Sequence, residues 1–228
     1  MNLQITVPYE TCPFKCPFCI ANNPKVVSIF PNEYDLHYQE YMNNLSNALL
    51  ENEIKTVIIT GDTEPTLNMA WIWEVTRLIK QEFPEIKIEV QTRNYNEKAL
   101  HKLNSLPIDV IALSVFQNQQ VEQIRSIRLY GTVKRLVVVV NKDFNTDISY
   151  EGFNQVTFKQ IQCGENEEIN AWIRPRMVEF KLNENVMAEN PQIGFMYDEN
   201  CMDNKNRYLI FREDGQTYDS WTSTKAIW

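Results

Sequence analysis

Leu3-Gln4-Ile5-Thr6-Val7-Pro8 leads, three residues on, into Thr11-Cys12-Pro13-Phe14-Lys15-Cys16-Pro17-Phe18-Cys19-Ile20. The first stretch is a short apolar run closed by a proline, which reads as a strand. The second places three of the five cysteines within eight residues. Thiolates this close can converge on one metal centre, and Cys-x3-Cys-x2-Cys is wide enough to wrap an iron–sulfur cluster. Such clusters usually take four thiolates, so three leave one iron without a protein ligand. An open position is what a site needs to bind and activate a molecule, as at catalytic zinc centres. Pro13 and Pro17 lack an N–H and stiffen the loop.

Two other readings of the cysteines stay open at this level. A zinc knot could be completed by Cys163, Cys201, His37 or His101, although such sites usually come as two close pairs and Cys163 and Cys201 stand alone. Disulfides fit less well, because five is an odd number and no secretory segment precedes Leu3.

The 228 residues suit one domain with a small appendage, and 43% hydrophobic against 23% charged residues describes an ordinary globular chain. A net charge of −8 argues against gripping a nucleic-acid backbone, which needs a basic face. The apolar runs, such as Leu136 to Val140, are too short to cross a bilayer. Clustered cysteines without a leader point to a reducing cytoplasm, with no membrane partner.

Outward from the cysteines, helical and extended segments alternate. Tyr34, Tyr38, Tyr41, Met42, Leu45, Leu49 and Leu50 recur at helical spacing between Glu33 and Asn52. Thr56 to Thr60 is the next strand, apolar throughout and expected to be buried on both faces. A helix follows from Leu67 to Phe83. Then come a strand at Ile86 to Gln91, a helix at Glu97 to Leu106, a strand at Val110 to Val115, a helix at Gln119 to Leu129 and a strand at Arg135 to Val140. A sixth strand is expected at Val156 to Gln162, after a connection with little helical signal.

This alternation predicts an α/β fold with a parallel sheet. Six strands are fewer than the eight of a closed barrel and fit a partial (β/α)6 TIM-like barrel. A doubly wound open sheet is the alternative. The core is expected over residues 1–162, with 163–228 an extension packed on it as a cap. In that extension Glu165 to Ile173 reads as a short acidic helix. Arg207 to Phe211 and Gln216 to Trp221 read as a C-terminal β-hairpin with a type I′ turn at Asp214-Gly215.

Cys12-x3-Cys16-x2-Cys19, with the aromatic Phe18 directly before the last cysteine, resembles the signature of the radical SAM enzymes. Gly61-Asp62-Thr63-Glu64-Pro65-Thr66, after the second strand, resembles the Gly-x-Gly-Glu-Pro-Thr form of that family's second motif, with Thr63 in place of a glycine. The resemblance spans roughly residues 3 to 162. It implies the same partial barrel and one [4Fe–4S] cluster on Cys12, Cys16 and Cys19, its open iron chelated by S-adenosylmethionine. It also implies an electron donor such as flavodoxin or ferredoxin, and a 5′-deoxyadenosyl radical that abstracts hydrogen from a substrate. Gly61, Thr63 and Glu64 would then line the methionine amino group, with Phe18 and Gln162 near the adenine. Thr92 and Ser114 would offer hydroxyls from strand ends.

Arg93, Asn94, Asn141 and Lys159 fall at or beside predicted strand ends, where ligands bind in such folds, and are candidates for a polar or anionic substrate. Cys163 directly follows the sixth strand, and its weakly held thiol hydrogen suits a donor to a substrate radical, as thought for epimerases of the family. No further cysteine run offers an auxiliary cluster. The substrate could be a small molecule, a peptide or a glycyl-radical enzyme. The rival from another class is a non-catalytic iron–sulfur or zinc protein such as an electron carrier.

Overall fold

The computed structural model describes residues 1–8, 12–16, 19, 21, 38–61, 63–159, 192–196 and 208–227. Strand β1 (Asn2–Thr6), helix α1 (Tyr38–Glu51), β2 (Thr56–Thr60), α2 (Met69–Glu82), β3 (Lys87–Thr92), α3 (Glu97–Asn104), β4 (Val110–Val115), α4 (Asn118–Arg125), β5 (Val133–Val139) and β6 (Gln155–Lys159) follow in order. The chain adds β7 (Gln192–Met196), β8 (Tyr208–Phe211) and β9 (Thr217–Tyr218). All nine strands form one sheet in the order β7-β6-β5-β4-β3-β2-β1-β8-β9, parallel throughout except for the β8–β9 pair.

Strands β1 to β6 lie side by side in chain order, with no reversal of the kind that defines a doubly wound sheet. The sheet also curls: Gln4 on β1 and Lys159 on β6, five strands apart in the order, line the same cleft. These two facts give the partial barrel.

Alternation along the strands divides the sheet into two faces. Leu3, Ile5, Val57, Ile59, Ile88, Val90, Ile111, Leu113, Leu136, Val138, Val156 and Phe158 are buried in one apolar core. Leu45 and Leu49 of α1, Ile72, Val75 and Ile79 of α2, Leu100 and Leu103 of α3, and Val121 and Ile124 of α4 close over it. The opposite, concave face is polar. There Arg135 pairs with Glu89 and donates through Nε to Gln155 Oε1 at 2.8 Å, while Gln91 Nε2 donates to Glu89 Oε1 at 2.8 Å. A buried charge pair is tolerated when its remaining hydrogen-bonding positions are largely met, and this network meets most of them. Strand β2 shows the division plainly: Val57 and Ile59 are buried, but Thr56, Ile58 and Thr60 are half-buried on the cleft side. That differs from the expectation of burial on both faces.

Several boundaries move for local reasons. The helix expected from Leu67 begins at Met69, because Asn68 Oδ1 accepts from Trp71 N and caps it. A single 3-10 turn, Pro65–Leu67, precedes it, capped by Glu64. Helix α4 stops at Arg125 rather than Leu129. Lys134 Nζ reaches over from β5 and donates to the carbonyls of Ile124, Arg125 and Ile127 at 2.7–2.9 Å, which turns the chain out of the helix. β8 and β9 form a hairpin, as expected, but the turn is not type I′. Only Gly215 has positive φ (70°); Arg212 O accepts from Gly215 N, and Arg212 N donates to Gln216 O. That is a three-residue loop with glycine in the left-handed position.

The hairpin is joined to the sheet. Its first strand, β8, pairs in parallel with β1 and extends the sheet. At the other edge β7, a strand not expected from local pattern, pairs with β6. The expected helix at Glu165 to Ile173 lies outside the described residues, as do Phe18, Gln162, Cys163 and Cys201. No described helix is long and apolar enough to cross a membrane.

Candidate functional site

The carboxyl ends of β1 to β6 surround a cleft enclosing about 970 Å³ of empty space, its open mouth included. Cys12, Cys16 and Cys19 all line it, half-buried, and none is in a disulfide. Their loop is held by its own backbone: Cys16 N donates to Phe14 O at 3.0 Å and Cys19 N to Cys16 O at 3.2 Å. Burial pushes the Cys12 thiol up from its ordinary value, and a backbone hydrogen bond from Phe14 opposes this.

Among the described residues, no three Cys, His, Asp or Glu side chains converge as the ligands of a single ion. His101, one candidate fourth ligand for zinc, is exposed on α3 and does not line the cleft.

The turn after β2 enters the cleft beside the cysteines. Gly61 has φ +137°, and a Cβ there would come within 3.0 Å of Thr6 Cγ2 and 3.2 Å of Thr6 Cα. Glycine is therefore required at this close approach of β2's end to β1. Thr63, where the family motif has glycine, does not take a positive φ. Its hydroxyl is buried, lines the cleft and has no hydrogen-bond partner among the described residues. A buried hydroxyl left unsatisfied beside a cavity calls for a polar group there.

Glu64 is 3% exposed and organises the rim. Its Oε1 accepts from Thr66 N at 3.1 Å, from Thr66 Oγ1 at 2.8 Å and from Thr92 Oγ1; its Oε2 accepts from Arg93 N at 3.0 Å. A carboxylate offers about four lone-pair positions, and the loading is uneven, so Oε2 keeps capacity toward the cleft. Thr92 lines the cleft, but its hydroxyl is turned to Glu64 and also accepts from Asn94 N. Ser114 lines the cleft, half-buried.

The four substrate candidates separate. Arg93 and Lys159 line the cleft. Asn94 and Asn141 do not. Asn94 spends its side chain on Thr66 Oγ1 and Asn96 N, and Asn141 on the carbonyls of Phe116 and Val139 and on Asp143 N. Both shape turns, which is the ordinary work of a carboxamide at a strand end.

Sequence reasoning missed the inner lining. Gln4, Thr60 and Gln91 face the cleft because each lies at the inward alternate position of its strand. That parity is written in the sequence. Trp221 also lines the cleft, packed with Ile210 and Tyr218, and Arg212 Nη2 donates to its carbonyl at 3.1 Å. No local pattern announces Trp221, since its place depends on β8 pairing with β1.

Comparison with known proteins follows from this geometry. The family model described as the radical SAM superfamily matches residues 6–135. No curated protein matches the sequence. Among solved structures, SuiB of Streptococcus suis bound to S-adenosylmethionine is similar at a TM-score of 0.56 and 13% identity, over 96% of this chain and 57% of SuiB. SuiB bound to the precursor peptide SuiA gives 0.60 and 11%, over 98% of this chain and 61% of SuiB. At these identities the likeness is one of fold, and the chain spans about three fifths of SuiB. Two motifs on consecutive strand ends, the partial barrel and a family match over more than half the chain agree: this chain belongs to the radical SAM superfamily.

Proposed function

We propose that this protein holds one [4Fe–4S] cluster on Cys12, Cys16 and Cys19, binds S-adenosylmethionine at the open iron and acts on a substrate seated deeper in the cleft. The observation that carries the reading is the meeting of three half-buried, unbridged cysteines with the Gly61–Glu64 turn around one cleft. The residues fit the groups. Three thiols line one cleft, Thr63 keeps an unused buried hydroxyl, and Glu64 keeps acceptor capacity on Oε2. When bound, the cluster and S-adenosylmethionine together supply one-electron cleavage of the sulfonium and hydrogen abstraction from the substrate.

The chain's own residues do the rest. Glu64 accepts from the methionine ammonium, a charge-assisted bond in a half-closed site. Thr63 donates or accepts beside it, and Gly61 lets the backbone come close. Ser114 offers a hydroxyl from the end of β4. Phe14, Phe116 and Trp221 line the cleft with rings that exclude water from a reactive intermediate. Lys159 faces the substrate as a cation. Phe18 and Gln162 near the adenine, and Cys163 as hydrogen donor, complete the proposal from the family resemblance; all three lie outside the described residues.

The substrate is a small molecule, a peptide or a glycyl-radical enzyme, and the electron comes from a flavodoxin or ferredoxin in a reducing cytoplasm. That SuiB binds a peptide does not choose among these, because a shared fold does not carry a substrate. Metal analysis tests the reading against a zinc protein. Anaerobically prepared protein should contain iron and sulfide in cluster ratio; stoichiometric zinc in their place would contradict it.

A further inference from the structure

We propose that Arg93 sets the reduction potential of the cluster by acting through the sulfur of Cys16. The inference rests on the reading of Cys16 as a cluster ligand and adds a role for a residue otherwise read as a substrate contact.

Arg93 Nη1 lies 2.9 Å from Cys16 Sγ, across 77 positions of sequence. The guanidinium is stacked 4.3 Å from the ring centroid of Phe116 and lies 5.9 Å from that of Phe14. Its backbone is anchored as well, since Arg93 N donates to Glu64 Oε2 at 3.0 Å. Both ends of the residue are therefore fixed, and the charge is aimed at one sulfur. Glu64 takes the backbone N–H rather than the guanidinium, and none of the salt bridges found among the described residues involves Arg93. Its positive charge is thus not cancelled by a paired carboxylate.

Hydrogen bonds to cluster sulfurs and nearby charge are main determinants of an iron–sulfur potential. Adding one electron makes the cluster more negative. A donor and a permanent cation at the Cys16 sulfur favour that state, and they do so more strongly in a half-buried cleft than in water. The guanidinium keeps its proton at all working pH values, so one electron enters from the reductant and no proton moves with it. Arg93 thus makes the cluster easier to reduce. Lysine is a poor substitute, because a compact ammonium cannot both stack on Phe116 and reach the sulfur in a fixed fork.

The test is a redox titration with dithionite, followed by electron paramagnetic resonance, on reconstituted protein without S-adenosylmethionine. Wild type, Arg93→Gln and Arg93→Lys are compared at equal iron content. Arg93→Gln should move the midpoint to a more negative value, lowering the ratio of reduced to oxidised cluster at fixed potential about tenfold, equivalent to about 59 mV for one electron. Arg93→Lys should move it in the same direction by less, and it serves alone if the glutamine variant does not load. A midpoint unmoved in a fully loaded variant overturns the proposal. So does an unmoved midpoint with lost S-adenosylmethionine affinity by calorimetry, which makes Arg93 a cofactor-carboxylate ligand. If wild type forms no cluster at all, the ligand assignment fails instead, and the two failures are distinguishable.

Discussion

The hydroxyl of Thr92, at the end of β3, donates to the Glu64 carboxylate, which sits beyond the end of β2. This bond ties two neighbouring strand ends together at the rim where the cysteines lie. Glu64 therefore holds the rim, and in the proposed function it also meets the cofactor.

Glu64→Ala leaves Thr66 N, Thr66 Oγ1, Thr92 Oγ1 and Arg93 N without their acceptor. A loss of about 2–4 kcal/mol in unfolding free energy is expected by urea denaturation, the scale for stranding several buried donors. Affinity for S-adenosylmethionine should fall at least roughly tenfold, since a charge-assisted bond is worth about 1.5–3 kcal/mol. Cluster absorbance should not change. Unaltered affinity by calorimetry would remove Glu64 from the cofactor site and leave it structural.

Gly61→Ala places a methyl group 3.0 Å from Thr6 Cγ2 in a backbone with φ +137°. Strain and clash together should cost about 1–3 kcal/mol. A variant as stable as wild type in urea would show that this turn relaxes freely.

Each of Cys12→Ala, Cys16→Ala and Cys19→Ala should abolish the iron–sulfur absorbance and all cofactor cleavage. Cys201→Ala should leave both intact. Loss of the absorbance in the Cys201 variant would mean a fourth protein ligand, and with it an electron carrier in place of an open site.

The sheet core was legible because its signal is local. Val57 and Ile59, or Leu136 and Val138, mark strands by their own composition, and the intervening helices by their spacing. The cysteine loop and the Gly61–Glu64 turn were legible for the same reason. What stayed hidden depends on partners far along the chain. Strand β7 contains Gly194 and has no pattern of its own; it is a strand because β6 offers an edge. Trp221 reaches the cleft only because β8 docks beside Asn2–Ile5 of β1. At Asn94 and Asn141 the side chain serves the turn, a use that position at a strand end does not announce. Arg93 was singled out from its position, but its contact with Cys16 spans β3 and the cysteine loop and could not be read from either alone.

Cys163 is the proposed hydrogen donor. Once a substrate is known, Cys163→Ala should still yield 5′-deoxyadenosine but stall or divert the substrate radical. Normal turnover by that variant would end the donor assignment.

The most direct measurement is cofactor cleavage by the anaerobically reconstituted protein. With dithionite and S-adenosylmethionine, chromatography with mass detection should show 5′-deoxyadenosine accumulating with time, and none from the Cys12, Cys16 or Cys19 variants. A fully loaded cluster that is reduced by dithionite yet forms no 5′-deoxyadenosine would contradict the enzyme reading and leave an iron–sulfur protein without this chemistry.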